Sequence, residues 1–458
     1  MAELTTTFRN HVLSIFQSAA AHYARQAATE PAPEAAPGGR PSATPDALAA
    51  AVDRVAALHE DERTTHLDAA APAEAQEEGV ADIAAACASL GFQLLQAKFL
   101  GDDASVERLE NQLALGTCDP RWAEALLEYA KYFGIDGTRG KIPYIKPAQA
   151  GETVIPIKAG ARIGLVGDWG TGAPPAVQVL EQLKAQKPDV LVHLGDIYYS
   201  GTDEECRENF EAVVNRVFDR ANSKLPVYTL AGNHDMYAGG VGYYALLTRL
   251  NAGALTQRAS YFCLRAEDNS WQLLAMDTGL HDYSPAGVTD AVTFVEAPEQ
   301  AWHTRRLAEF GGKTILMSHH QLFSRFSPIG KADENGRYVP YNKPMKTMFD
   351  SFLATGKPIP AWFWGHEHNL GIYDAFVGLK YGRCLGHSAV PVLPAQEPYA
   401  VIEPVGALPT VAANTELPLV GETYAHGFAM LTLGGNGQAK VDYFNAGGNA
   451  PFFSETIE

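Results

Sequence analysis

Five short motifs between Asp168 and His368 set the strongest constraint on how this chain folds. In order they are Gly-Asp-Trp-Gly (167–170), Gly-Asp-Ile-Tyr-Tyr (195–199), Gly-Asn-His-Asp (232–235), Ser-His-His (318–320) and Gly-His-Glu-His (365–368). Each places Asp, Asn, His or Tyr just after a short apolar run that reads as a strand. Side chains delivered from several strand ends meet only if those strands lie side by side in an α/β sheet. Oxygen and nitrogen donors converging there are what a two-metal hydrolytic centre requires.

The rest of the chain fits that frame. With 458 residues it exceeds what one core usually organises, so two or three domains are expected. Residues 1–28 carry a helical stripe (Phe8, Val12, Ile15, Phe16, Ala19, Tyr23), and 29–47 read as a flexible Pro/Ala-rich linker. Helical spacing returns over 48–140, where Asp119-Pro120 looks like an N-cap followed by Pro at the first helical position. From about Arg162, short apolar runs alternate with helical stretches, the rhythm of an α/β domain spanning 155–450. Beyond Leu370 the strands follow one another without helices. That pattern implies two sheets packed face to face and covered by helices, with the Pro-rich 388–424 as an ordered loop or lid near the site.

Charge and cysteine content narrow the function classes. A net charge of −18 argues against broad, sequence-independent nucleic-acid binding, which needs a basic surface. It leaves room for a small phosphorylated substrate, because bound cations reverse the local sign. No apolar stretch is long enough to span a bilayer. The five cysteines are scattered and lack a CxxC pair, so they read as thiols rather than a disulfide framework. The N-terminus lacks a basic n-region and its apolar stretch is broken by polar residues, so the cytoplasm is the expected location.

Within the motifs, Asp168 and Asp196 follow apolar runs and Gly, which lets the backbone turn sharply. One bridging carboxylate holds two cations about 3.5–4 Å apart. Asn233 offers a carbonyl oxygen. His366 and His368, two apart, face one side, whereas His319 and His320, adjacent, face opposite sides. Imidazole suits Zn and Fe equally.

The ladder resembles the calcineurin-like metallophosphoesterase superfamily and, within it, the purple acid phosphatases, over about 163–446. The superfamily opens with Asp-x-His, but here the third position is Gly170. The purple acid phosphatases make that replacement and take a Tyr three residues after the second Asp, which is Tyr199. The closing His-Gly-Phe-Ala (426–429) and Val-Asp-Tyr-Phe (441–444) also look like that family.

The resemblance implies a four-layer α/β (α+β) sandwich of two mixed sheets flanked by helices, preceded by the helical N-terminal region. It implies Asp168, Asp196, Tyr199 and His368 on a first metal, and Asp196, Asn233, His319 and His366 on a second. His319 is preferred over His320 by alignment of His319-x-x-x-Phe323-Ser324 with the family's fourth motif. It makes His234 the catalytic outer-sphere histidine. His320, with His281 and His387, stands as an auxiliary acid. The ions implied are Fe(III) with Fe(II), Zn or Mn; a cytosolic setting favours a Mn or Zn pair instead. The expected reaction is metal-dependent hydrolysis of a phosphate monoester. The alternatives are a phosphodiesterase for cyclic nucleotides or phospholipid head groups, and a metal-bound recognition module without catalysis. In each, the helical N-terminal region is open to oligomerisation or partner binding.

Overall fold

The computed structural model describes residues 128, 132, 133, 141–283, 292–392, 394–421 and 423–458. The expected N-terminal helix, linker and most of the helical region (1–28, 29–47, 48–140) lie outside these residues. Among the described residues no helix is long and apolar enough to cross a membrane.

Two mixed sheets stack face to face, as expected. The first runs, in spatial order, β1 (Ile155–Ile157), β5 (Phe262–Ala266), β6 (Trp271–Ala275), β7 (Lys313–Met317), β8 (Ala361–Trp364), β10 (Tyr381–Leu385) and β9 (Leu370–Tyr373). The second runs β15 (Phe453–Ile457), β14 (Ala439–Asn445), β13 (Gly427–Leu433), β2 (Arg162–Val166), β3 (Val190–His193) and β4 (Val227–Thr229). A small hairpin, β11 (Leu419–Val420) with β12 (Thr423–Tyr424), sits within the Pro-rich segment.

Where strands are buried on both faces, they read as continuous apolar runs, as β3 (Val-Leu-Val-His) and β8 (Ala-Trp-Phe-Trp) do. One apolar cluster fills the space between the sheets and includes Ile163, Leu165, Val192, Leu230, Leu273, Ile315, Phe363 and Leu431. The outer faces are covered by amphipathic helices, Pro174–Ala185 on one side and Ala297–Ala308 with Lys343–Leu353 on the other.

The sheet edges are tied by side chains. On β10, buried Arg383 donates to both carboxylate oxygens of Glu455 on β15, with Nε–Oε1 at 2.6 Å, and Tyr443 donates to the same Oε1 at 2.6 Å. This pair bridges the two sheets. Breaking such a buried pair from one side costs about 3–5 kcal/mol, since the other charge is left unpaired.

The parallel strands β2 and β3, with β4 beside them, and β7 and β8 of the facing sheet end at the same edge of the sandwich. All five sequence motifs lie in the loops that leave those strand ends.

Candidate metal centre

Asp168 follows β2, Asp196 follows β3, Asn233 follows β4, His319 follows β7, and His366 and His368 follow β8. Asp168, Asp196 and His366 have φ of 54°, 76° and 67°, a left-handed region uncommon for non-glycine residues. Each such backbone costs on the order of 1–3 kcal/mol and persists only where the surroundings over-determine it. The glycines beside them allow the close approach. A Cβ on Gly232 would stand 2.0 Å from Asp196 Oδ1. One on Gly170 would stand 2.6 Å from the Asp196 carbonyl oxygen, so this backbone has no room for the superfamily's His there.

The donors form two groups that share Asp196. In the first, Asp168 Oδ1 and Asp196 Oδ2 each accept from the Tyr198 hydroxyl at 3.2 Å. His368 Nε2 lies 3.1 Å from that hydroxyl and 3.4 Å from Asp168 Oδ1. In the second, Asn233 Oδ1 lies 3.1 Å from both His319 Nε2 and His366 Nδ1, which are 3.3 Å apart. His319 Nε2 also lies 3.4 Å from Asp196 Oδ2.

The hydrogen bonds around the groups orient them. His319 Nδ1 donates to the Leu194 carbonyl at 2.9 Å, which aims Nε2 at Asn233 Oδ1 and His366 Nδ1, while against the pull of burial the facing Asp196 pushes His319 up to about 9. A bound cation would take the place of the Nε2 proton among these donors. Asp168 Oδ2 accepts from the His366 N–H at 2.8 Å, and Asp196 Oδ1 from the His234 N–H at 3.0 Å. Each carboxylate therefore spends one oxygen on the backbone and turns the other inward. Burial pushes Asp196 up, but the facing His319 and His234 outweigh it and hold the carboxyl well below its usual range. Asp168, Asp196, Asn233, His319 and Tyr198 are buried, while the His368 side chain is 30% exposed and His366 is half-buried. The centre therefore opens along the last motif.

The structure places one expected residue differently. Of the adjacent tyrosines, Tyr198 and not Tyr199 brings its hydroxyl to Asp168, Asp196 and His368. The reason is local. Residues 198–200 form a turn rather than a strand, so counting from Asp196 does not fix the direction of a side chain. Glu205 clamps that turn by accepting from the N–H groups of Tyr199, Ser200 and Thr202 at 2.5, 3.1 and 3.0 Å. Asn209 holds the Tyr198 carbonyl at 2.7 Å. The Tyr199 ring packs instead with Tyr237 and Val390, the latter from the Pro-rich segment.

The remaining histidines occupy distinct places. His234 donates from Nδ1 to the Tyr199 carbonyl at 2.6 Å, leaving Nε2 3.9 Å from Asp196 Oδ2, at the edge of the centre. Its ring lies 4.5 Å from that of Tyr198. His320 sits 4.4 Å from the His366 ring, but its nitrogens bond Thr278 Oγ1 at 3.0 Å and Asp282 Oδ2 at 3.1 Å. His281 bonds Glu296 at 2.8 Å and stacks on Phe294. His387 is buried, without a partner for either ring nitrogen among the described residues, and burial pushes it down to about 3.

Sequence reading missed two supporting carboxyls. Asp235 accepts from the N–H groups of Asp196 and Gly232 at 3.0 and 2.8 Å and so joins the second motif to the third. It stood in plain view in Gly-Asn-His-Asp. Asp282, by contrast, lies in no motif.

Residues 161–370 match the family model described as calcineurin-like phosphoesterase. That stretch is a calcineurin-like phosphoesterase domain. It is 24% identical over 243 residues to tartrate-resistant acid phosphatase type 5 of Mus musculus, covering 48% of this chain and 70% of that protein. The Homo sapiens protein of the same name is 24% identical over 247 residues, with the same coverage. Among solved structures, a purple acid phosphatase from yellow lupin (Lupinus luteus) seeds aligns with a TM-score of 0.44 at 13% identity, covering 66% of this chain and 54% of that one. This metallophosphoesterase is purple acid phosphatase-like and a phosphoric ester hydrolase. The family implies a dinuclear metal centre, and the donor set fits one: Asp168, Asp196 and His319 offer ligand atoms within 4.8 Å of one another, as do His319, His320 and His366.

Proposed function

We propose that this metallophosphoesterase hydrolyses phosphate monoesters at two cation sites that share Asp196. The observation that carries this is the meeting of two donor groups at one carboxylate: Asp168, Tyr198 and His368 on one side, Asn233, His319 and His366 on the other. When bound, two cations supply a hydroxide at neutral pH and neutralise charge on the phosphoryl oxygens.

The chain's own residues do the rest. The half-exposed edge at His366 and His368 admits the phosphate. The His319 Nδ1–H bond to Leu194 keeps Nε2 aimed inward. His234, fixed through Nδ1 on the Tyr199 carbonyl, presents Nε2 at the rim of the centre. Protonated on Nε2 as well as Nδ1, it is placed there to hand a proton to the leaving oxygen or to hold a phosphoryl oxygen.

Metal preference follows from the donors. Two carboxylates and a phenol suit a trivalent ion at the first site, whereas a carbonyl oxygen and two imidazoles suit a divalent one such as Zn, Fe or Mn at the second. The acid phosphatases among the relatives support the monoester reading. Turnover of a monoester and a diester chromogenic substrate by the metal-loaded protein tests it. Monoester turnover well above that of the diester is expected; the reverse order would transfer the assignment to a phosphodiesterase, and turnover of neither would overturn hydrolysis altogether.

A further inference from the structure

Two segments flank the second donor group, and both are met by residues from far earlier in the chain. One segment is the short helix His234–Tyr237 and the glycines after it; Asn233 Nδ2 donates to the Tyr237 hydroxyl at 2.6 Å. The other is the loop through Thr278 and Asp282, which bonds His320. Gly279 in that loop lies against the backbone of Ala231 and Gly232, where an added Cβ would stand 2.5 Å from the Gly232 carbonyl oxygen. The two segments are therefore neighbours beside Asn233.

Helical Tyr132 and Phe133 touch one segment each. The Tyr132 ring lies on Gly239, whose Cβ, were there one, would stand 2.7 Å from Tyr132 Cδ1. The Phe133 ring lies 5.0 Å from that of Tyr283, at 35°. Tyr283 follows Asp282 directly and is 41% exposed. Two residues before it, His281 stacks at 3.7 Å on Phe294, which is also 41% exposed. An exposed ring thus follows directly on Asp282, the partner of His320, whose own ring lies 4.4 Å from that of His366.

We propose that Phe133 and Tyr283 form an aromatic ledge at the rim of the centre, and that the substrate's leaving group is a flat aromatic one that stacks on it. Tyr132, seated on Gly239, fixes the position of Phe133. The earlier part of the chain is then a determinant of substrate choice. Rings offer a face to a planar leaving group and no hydrogen bond to its phosphate, so the ledge selects the leaving group and leaves phosphate binding alone. This inference rests on the phosphomonoesterase reading above.

The test compares kcat/KM for 4-nitrophenyl phosphate and glycerol 2-phosphate, with inhibition by inorganic phosphate as the control, in the full-length metal-loaded chain. Phe133→Leu and Tyr283→Leu keep apolar volume and remove a ring from either side. Each should lower the aryl-to-alkyl ratio about tenfold, the scale of one aromatic pair. Phosphate inhibition should stay unchanged, and the double variant should fall little below either single one. An unchanged ratio, or a parallel loss on both substrates with weakened phosphate inhibition, would overturn the ledge alone. A wild-type chain that turns over neither substrate would overturn the ledge together with the phosphomonoesterase reading.

Discussion

The protein buries two clusters of carboxyl groups and treats them in opposite ways. At the metal centre, buried Asp196 faces His319 and His234, which hold it well below the usual carboxylate range against the pull of burial. Asp277, after β6, and Glu299, on the helix Ala297–Ala308, are just as buried. There burial, with each Asp277–Glu299 repulsion added, pushes Asp277 up to about 7, and burial pushes Glu299 up to about 8. Their partners explain the difference. Glu299 accepts from the Tyr144 hydroxyl at 2.9 Å, the Asp277 N–H at 2.9 Å and His303 at 3.2 Å, while Asp277 accepts from Ser260 at 2.5 Å. The first cluster surrounds its charge with imidazoles that take a proton or a cation, His319 being pushed up to about 9. The second surrounds its carboxyls with hydroxyls, a backbone N–H, each other and His303, which burial pushes down to about 3 and so keeps neutral, and it is built to keep protons. Burial of acids alone therefore does not mark a metal site; what faces them does.

Five substitutions test that contrast. The largest effect is expected from Asp196→Asn, which removes the shared carboxylate. Monoester turnover should fall at least about a thousandfold, the upper scale for losing one electrostatic catalytic group. Full activity in the folded variant would show that the two sites do not share this residue.

Next, Tyr198→Phe should weaken the first site at least about tenfold by metal titration, while Tyr199→Phe should leave it unchanged. If iron fills that site, a visible phenolate-to-iron band should vanish in Tyr198→Phe alone. Loss of the band in Tyr199→Phe instead would support the assignment that the family resemblance implies.

A smaller change is expected from Asn233→Ala. It should empty the second site and leave the first site's absorption in place, since Asp168, Tyr198 and His368 do not touch Asn233 through any bond described above.

The smallest effect on function is expected at the proton-keeping cluster. Glu299→Gln should leave metal content and turnover within about twofold. Its signature is in stability against pH. A carboxyl raised from 4.5 to about 8 stabilises the fold fully below its unfolded value, and that contribution is lost as pH rises toward 8. In the wild type Tm should therefore decline across this window, and Glu299→Gln should flatten the decline. An unaltered Tm profile would mean that Glu299 is ionised in the folded protein.

Much of this arrangement was readable in the sequence because burial on both faces writes strands as apolar runs, and the motif glycines mark where those runs end. Strands β8, β9 and β13 and the helix Lys343–Leu353 fall where hydrophobic spacing put them. Strands β1, β5 and β15 left weaker signals. Pro156 interrupts β1, an edge strand that tolerates it; Arg265 interrupts β5; and β15 carries Ser454, Glu455 and Thr456 at an edge of the other sheet. At the site, Asp168, Asp196, Asn233, His319, His366 and His368 converge because sheet topology fixes strand ends. The tyrosine pair sits differently from the family expectation because a turn held by Glu205, and not a strand, carries it. Asp282 and Phe133 were illegible, since their places near the centre depend on contacts distant in sequence.

Whether one carboxylate serves two cation sites is read most directly from metal content measured by plasma mass spectrometry. The purified chain should carry two ions, Asn233→Ala one, and Asp196→Asn fewer than one. A wild-type chain that saturates at a single ion, or an Asp196→Asn chain that keeps two, would contradict the shared carboxylate.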